Sequence, residues 1–366
     1  MKVSSIGLIE TKITKLDNQF PVQDMLLQTG QIEQFASGIY AYGHIPFLVK
    51  KNINDIIIKT LTKYGCSLIN LPLLQPENIW INSGRLDRYV SEDVMFRCLT
   101  DKGNFCLAPT AEEAVVEFAK SRLTSYKNLP TTYFQIGEKF RNEIRTRGYL
   151  LRGKSFEMMD AYSFGKDEKD LDNLKSKKAC ELGHIFQLGE KYSKSMDTTY
   201  IAQDGKPKYY SMGCYGIGVS RTLAMIYENS IVRNDKNEFL GISLPVNLTP
   251  YIIYIIAKTD DKEKLKYANN LYKMLISDDI PVLYDDRDYL SIGAKLKDSK
   301  ITGIPYTCVL GNTLNDGYIT VENNKTGEKI NIDKNEFVEY LVKFQTFRKK
   351  KITLESIVKN NIKTFD

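Results

Sequence analysis

The chain has 366 residues, 42% of them hydrophobic and 26% charged, with a formal net charge of +6. Those values describe an ordinary globular protein of two or three domains, and the mild basic balance suits an RNA partner without requiring one. No run of 18 apolar residues occurs, so no transmembrane helix is expected, and the first 20 residues carry neither the apolar core of a secretory signal nor the Arg-rich bias of a transit peptide.

In chain order, residues 46–64 predict an amphipathic helix with Ile53, Ile57, Leu61 and Tyr64 on one face and Gly65 just past its end. A short strand, Ser67–Leu71, follows and stops at Pro72. Residues 105–123 read as strand, turn and helix. Thr110 and Glu113 have capping-box spacing, so Thr110 is a candidate N-cap. Strands are expected near 131–140 and 154–164, a glycine-rich strand over 209–219 and a helix over 220–228. These segments lack the regular rhythm of a parallel sheet, and an antiparallel sheet backed by helices fits better. The two prolines and absent charge of GISLPVNLTP mark a boundary near 240–250. Beyond it, strands at 251–256, 281–284 and 305–310 alternate with helices at 262–277 and 291–301. Two further strands (318–322, 328–332) and a helix (335–345) complete a compact α/β domain. The tail 347–366 is basic.

Only two histidines are present, His44 and His184, which argues against a His-rich metal site and against Ser-His-Asp catalysis. The six cysteines are scattered with no CxxC pair, as expected of reduced thiols in a cytoplasmic protein. No GxxxxGK[ST] word exists, so no P-loop is expected. The stretch 134–164, FQIGEKFRNEIRTRGYLLRGKSFEMMDAYSF, instead places arginines, a carboxylate and aromatic residues on two strands around a polar loop. Arginines can neutralise phosphates bidentately, a carboxylate can accept from an adenine amine, and an aromatic face can stack on the base.

This stretch resembles motif 2 of the class II aminoacyl-tRNA synthetases. Together with GIYAYG (38–43), LAPTAEEAV (107–115), ELGHIFQLGEKYS (181–193), MGCYGIGVSR (212–221), LYDDRD (283–288) and ITGIPYTCVLG (301–311), it is similar to the bacterial prolyl-tRNA synthetases over most of the chain. The resemblance implies an α+β fold. An antiparallel catalytic domain (about 1–245) would be followed by an α/β anticodon-binding domain (about 250–346) and the tail. It implies ATP-dependent activation of L-proline, transfer to tRNA-Pro, a requirement for Mg2+, and a homodimer whose interface involves the helix and strand of 46–71.

Carried over position by position, the resemblance gives Arg141 the α-phosphate and the amino-acid carboxylate. Glu143 would accept from the adenine amine, Arg152 would hold the γ-phosphate, and Phe156 would stack beneath the base. Arg221 would cover the other face of the base, Gly216 and Gly218 would let the backbone approach the nucleotide, and Glu181 would help hold ATP or its magnesium. Thr110 and Glu112 would grip the proline imino group, with Met158, His184 and Phe186 lining the ring pocket, or serving as ordinary core. Arg145 and Arg147, in the motif 2 loop, would reach the tRNA acceptor end; Asp286, Arg287 and Lys295 would face the anticodon. The alternatives are a non-enzymatic or repurposed paralogue that keeps the fold as a regulatory or RNA-binding protein, or one that adenylates proline for a non-tRNA acceptor. Three departures stand out. Ala111 replaces a frequent His, Thr146 replaces a Pro and should loosen the loop, and Phe164 lies only 19 positions before Gly183. Bacterial relatives carry an editing insertion and part of the catalytic core in that interval.

Overall fold

The computed structural model describes residues 1–8, 13, 15–146, 148–167, 182–258 and 260–350. The chain divides into two compact units, one of residues 36–40 and 57–222, the other of residues 1–35, 41–56 and 223–350 within the described range.

The first unit is built on a five-stranded sheet. Its strands are β1 (Ser67–Leu68), β5 (Thr131–Phe140), β6 (Ser155–Gly165), β7 (Gly183–Gly189) and β8 (Ser211–Gly218), in the order β1-β5-β6-β8-β7. Only β1 runs parallel to its neighbour; the other pairings are antiparallel. A second, antiparallel sheet orders β2 (Leu74–Pro76), β4 (Gly103–Leu107) and β3 (Arg97–Thr100). The helices are α1 (His44–Lys63, whose last turns fall in this unit), α2 (Glu77–Asn82), α3 (Leu86–Ser91), α4 (Glu112–Lys120), α5 (Lys191–Ser195) and α6 (Val219–Glu228, which begins here). Trp80, Val115, Phe164, Tyr210 and Met212 belong to one buried apolar cluster of this unit. That cluster is the thermodynamic reason the strands hold, since an antiparallel sheet needs one face removed from water.

The long strands match the sequence reading closely. β5 occupies 131–140 and β6 is displaced by one residue. Thr110 is not the N-cap of α4. Ala111 holds that position with no side-chain cap, and the Thr110 hydroxyl donates to the Glu112 carboxylate instead. Between β5 and β6 lies a buried ion pair: the Lys139 ammonium sits 2.8 Å from Asp160 Oδ1, a charge contact rather than an aligned hydrogen bond. Gln135 and Tyr162 donate to the other Asp160 oxygen. Removing one partner of such a pair costs about 3–5 kcal/mol, because the other charge is left buried and alone.

The second unit contains the mixed sheet β10-β9-β11-β12-β13. It comprises β9 (Ile253–Ala257), β10 (Val282–Asp285), β11 (Tyr306–Leu310), β12 (Tyr318–Asn323) and β13 (Lys329–Asp333). β9 is parallel to both neighbours and fully buried, which is why YIIYII reads as an unbroken apolar run. Helices α7 (Lys262–Ser277), α8 (Ile292–Ile301) and α9 (Phe337–Lys350) accompany it. Asp261 caps α7 and Ser291 caps α8 through side-chain acceptors. The amino-terminal residues belong to this unit as well. Lys2 bridges in parallel to Tyr284, and Ser4 donates through its backbone N–H and hydroxyl to the Asp286 carboxylate at 3.0 and 2.7 Å.

Candidate active site

Side chains on a strand alternate between faces, so Phe156, Met158, Asp160 and Tyr162 share one face of β6. Register brings Gly218 of β8 opposite Met158 and Gly216 opposite Asp160. On the next strand His184 stands opposite Gly216, and Phe186 opposite Cys214. The sequence-predicted residues Phe156, Met158, His184 and Phe186 therefore lie on adjoining positions of one sheet face. Glycine at 216 has a local cause. A Cβ there would lie 2.7 Å from the His184 ring, so the histidine occupies the space of the missing side chain. The sequence reading had assigned that space to a nucleotide. Gly218 has room only to 3.3 Å from the Arg221 Cβ.

Arg141 follows the last residue of β5. Its Nε donates to the Pro109 carbonyl at 3.0 Å, and its guanidinium lies 5.3 Å from the centre of the Phe156 ring. Arg152 donates from Nε to Glu143 Oε2 at 2.9 Å, and its Nη2 lies 2.6 Å from the same oxygen as an ion pair. Arg221, at the start of α6, donates from Nε to the Leu151 carbonyl at 3.2 Å. Arg141, Glu143, Arg152 and Phe156 line a small cleft of about 150 Å³ together with Met158, His184, Gly218 and Arg221. Phe186 stands outside it, half exposed and tilted against His184 at 4.7 Å. A larger cleft of about 950 Å³ shares Arg141, Glu143 and Arg152, passes exposed Arg145, and continues to Arg85, Tyr89 and Tyr192. Arginine thus dominates the junction of the two clefts. A fixed guanidinium beside an aromatic face is suited to an anionic, planar ligand.

Next to Arg141 is a carboxylate cluster that the sequence reading captured only in part. Arg85, just before α3, donates to Glu112 Oε2 at 3.3 Å and to Glu113 Oε1 at 3.0 Å, and Ser83 donates to Glu113 at 2.9 Å. Burial pushes the Glu113 carboxyl up to about 7, against the pull of Arg85. Burial likewise raises the Tyr89 and Tyr192 hydroxyls, which stay neutral at ordinary pH, and the Tyr89 hydroxyl accepts from Arg85. Arg85, Tyr89 and Tyr192 were absent from the sequence expectations, and Glu113 entered only as a capping partner. The word SGRLDRY offered a signal, an arginine and a tyrosine one helical turn apart, but spacing alone does not say that they face a carboxylate on another helix.

Glu181 and Arg147 lie outside the described residues. Among the described residues no group of three or more His, Cys, Asp or Glu side chains could hold a metal ion. The Thr146 and Ser37 hydroxyls share a hydrogen bond at 2.8 Å, so the loop expected to be loosened by the missing proline is tethered at Thr146 itself. In the second unit, the expectation of a charged face at Asp286, Arg287 and Lys295 is met by different geometry. Arg287 is 4% exposed and donates to Asp285 at 2.9 and 2.7 Å, with Asp298 at 2.8 Å. Lys295 is 1% exposed and donates to the Asp285 carbonyl at 3.2 Å. Both cations serve the domain interior, and a surface reader could not use them without breaking these pairs. Asp286 is engaged by Ser4 and Lys2.

Comparison with known proteins bears on the family and the fold. A model described as "tRNA synthetase class II core domain (G, H, P, S and T)" matches residues 96–176 and 164–230, and one described as "Anticodon binding domain" matches 251–344. The proline--tRNA ligase of Ehrlichia canis is 30% identical over 435 residues, covering 93% of this chain and 99% of that one. That alignment is longer than the chain itself, so the relative carries residues that have no counterpart here. The proline--tRNA ligase of Sulfurimonas denitrificans is 28% identical, covering 91% and 97%. A crystal structure of prolyl-tRNA synthetase from Cryptosporidium parvum, complexed with L-proline and AMP, has a TM-score of 0.72 at 15% identity, covers 90% of this chain and 76% of that one, and has the same fold. With 30% identity sustained across nearly all of both chains and a class II core matched around the Arg141 clefts, this chain belongs to the proline--tRNA ligase family of class II aminoacyl-tRNA synthetases.

Proposed function

We propose that this protein activates L-proline with ATP and transfers the prolyl group to tRNA-Pro. The observation that carries the reading is the position of Arg141, beside the Phe156 ring in one cleft and shared with the cleft that Arg85 and Tyr89 line. A proline carboxylate oxygen would attack the α-phosphorus of ATP, forming the acyl phosphate bond as pyrophosphate leaves. Arg141 would neutralise the charge that builds on those oxygens in the transition state. Phe156 below and Arg221 above would hold the adenine ring. Glu143 would accept from its amine, and Arg152 would then leave Glu143 for the γ-phosphate. Thr110 and Glu112 would hold the cationic imino group, with Met158, His184 and Phe186 against the ring. In the second step a terminal tRNA hydroxyl would attack the carbonyl carbon and AMP would leave. Exposed Arg145 suits contact with the acceptor end.

Magnesium would arrive with the phosphates and neutralise their charge. The described residues fit that better than a protein cage, since magnesium commonly keeps its waters and needs only one or two carboxylates besides phosphate. A homodimer is supported by apolar side chains that a second copy would cover, among them Leu68, Leu74 and Leu99. The functional division proposed is catalysis in about 1–245 and anticodon binding in about 250–346. Both family matches fall inside those spans, while residues 1–35 and 41–56 group structurally with the second unit. A cytoplasmic site is proposed from the five described cysteines, all free thiols, and no described helix is long and apolar enough to cross a membrane.

The test is proline-dependent exchange of pyrophosphate into ATP, followed by charging of tRNA-Pro. Arg141→Ala should lower exchange roughly 100- to 1000-fold, the usual loss for a transition-state charge contact. Near-normal exchange by the folded variant would remove the reading.

A further inference from the structure

Arg85 takes no part in the proposed reaction, yet two carboxylates, a tyrosine hydroxyl and three ring faces engage it. The role assigned to it rests on Glu112 being the imino acceptor of that reaction. The Thr110 hydroxyl and the Arg85 guanidinium both donate to the same oxygen of Glu112, Oε2. The other oxygen, Oε1, has no hydrogen-bond partner among the described residues. A carboxylate held by one oxygen from two directions has its second oxygen aimed. We propose that Arg85 is a positioning residue of the proline site: with Thr110 it fixes Glu112 through Oε2 and leaves Oε1 to accept from the substrate imino group, while Glu113 supplies the counter-charge of Arg85.

The role of Glu113 follows from charge. An arginine facing Glu112 alone would cancel the attraction of that carboxylate for a cation. With Glu113 ionised and at 3.0 Å, the group of one arginine and two carboxylates keeps one net negative charge, which the imino cation completes. Ser83 anchors Glu113, and the guanidinium lies 5.4, 4.8 and 5.3 Å from the ring centres of Trp80, Tyr89 and Tyr192. Those faces set the plane of the fork, and a lysine ammonium has no such plane. Because two protein carboxylates already engage Arg85, the substrate carboxylate is left to Arg141.

The experiment measures binding of L-proline and of cyclopentanecarboxylate, which keeps the ring and the carboxylate but has no nitrogen. Calorimetry on the full-length protein reads both without turnover, so the result is separate from whether the wild type shows exchange. Arg85→Met should weaken proline roughly 10- to 100-fold, the range for losing a charge-assisted contact, and leave cyclopentanecarboxylate within about twofold. Arg85→Lys should recover only part of the loss, since one ammonium cannot hold both carboxylates in the same geometry. Glu113→Gln, nearly isosteric, should also weaken proline selectively, and it carries the test if Arg85→Met does not fold. Equal weakening of both ligands would mean that Arg85 grips the substrate carboxylate and would overturn the proposal. Unchanged proline affinity in Glu113→Gln, or full recovery in Arg85→Lys, would overturn it too.

Discussion

At the scale of single residues, the site depends on what each charge can see. Glu113 faces Arg85 from the segment before α3, Glu112 from its own helix, Ser83 from the end of α2, and Tyr89 and Tyr192 from α3 and α5. Burial places its titration at about 7. Above that pH it is an anion and balances Arg85; below it the carboxyl is neutral, and Arg85 is balanced by Glu112 alone. The proline imino group stays cationic throughout the window. The KM for proline in exchange should therefore rise as pH falls from 8 to 6, with the KM for ATP nearly constant. Glu113→Gln should flatten that profile at the high, low-pH value. A proline KM that is level in the wild type across this range would show that Glu113 does not couple to the site.

At the scale of elements, the face that carries Phe156, Met158, His184 and Phe186 is a matter of register. β6, β8 and β7 bring four side chains into line only because Gly216 leaves room for His184. Gly216→Ala would put a methyl 2.7 Å from that ring, so the ring or the strand must shift. Overpacking of this kind costs about 1–3 kcal/mol. The expected outcome is a lower unfolding midpoint together with a raised KM for proline, measured by urea denaturation and exchange. A stable variant with unchanged proline KM would mean that His184 is free to move without consequence. Length and composition made β5, β6 and β9 legible in the sequence, as long β-prone runs or an unbroken apolar run, and α7 was legible from its apolar stripe. Neither signal made β2, β3, α2 or α3 legible. Those elements are three to six residues long, and tertiary packing rather than local pattern decides them.

At the scale of the whole molecule, accuracy is the question. Alanine is smaller than proline and cannot be excluded from a proline pocket by shape. The lost apolar contact is worth only about 1–3 kcal/mol per methylene, so some alanine would be activated. Phe164 and Gly183 are 19 positions apart, which leaves no room for an editing domain between them. The full-length protein should therefore leave preformed Ala-tRNA-Pro intact beyond the spontaneous rate of hydrolysis. Rapid deacylation by the purified protein would place a hydrolytic site elsewhere in the chain.

The amino-acid sequence by itself determined the family, the antiparallel catalytic sheet followed by a second domain, and most of the small cleft around Arg141. It could do so because those features sit in contiguous words or in long β-prone runs, where local chemistry and final structure agree. Tertiary structure alone decided which charges are available. Asp286, Arg287 and Lys295 are adjacent or one helical segment apart in sequence, yet the first pairs with the amino terminus and the other two are buried in the interior. Arg85 and Glu112 are 27 positions apart and share a hydrogen bond. Whether a charge is solvated, paired or buried depends on groups distant in the chain, and no local pattern encodes that.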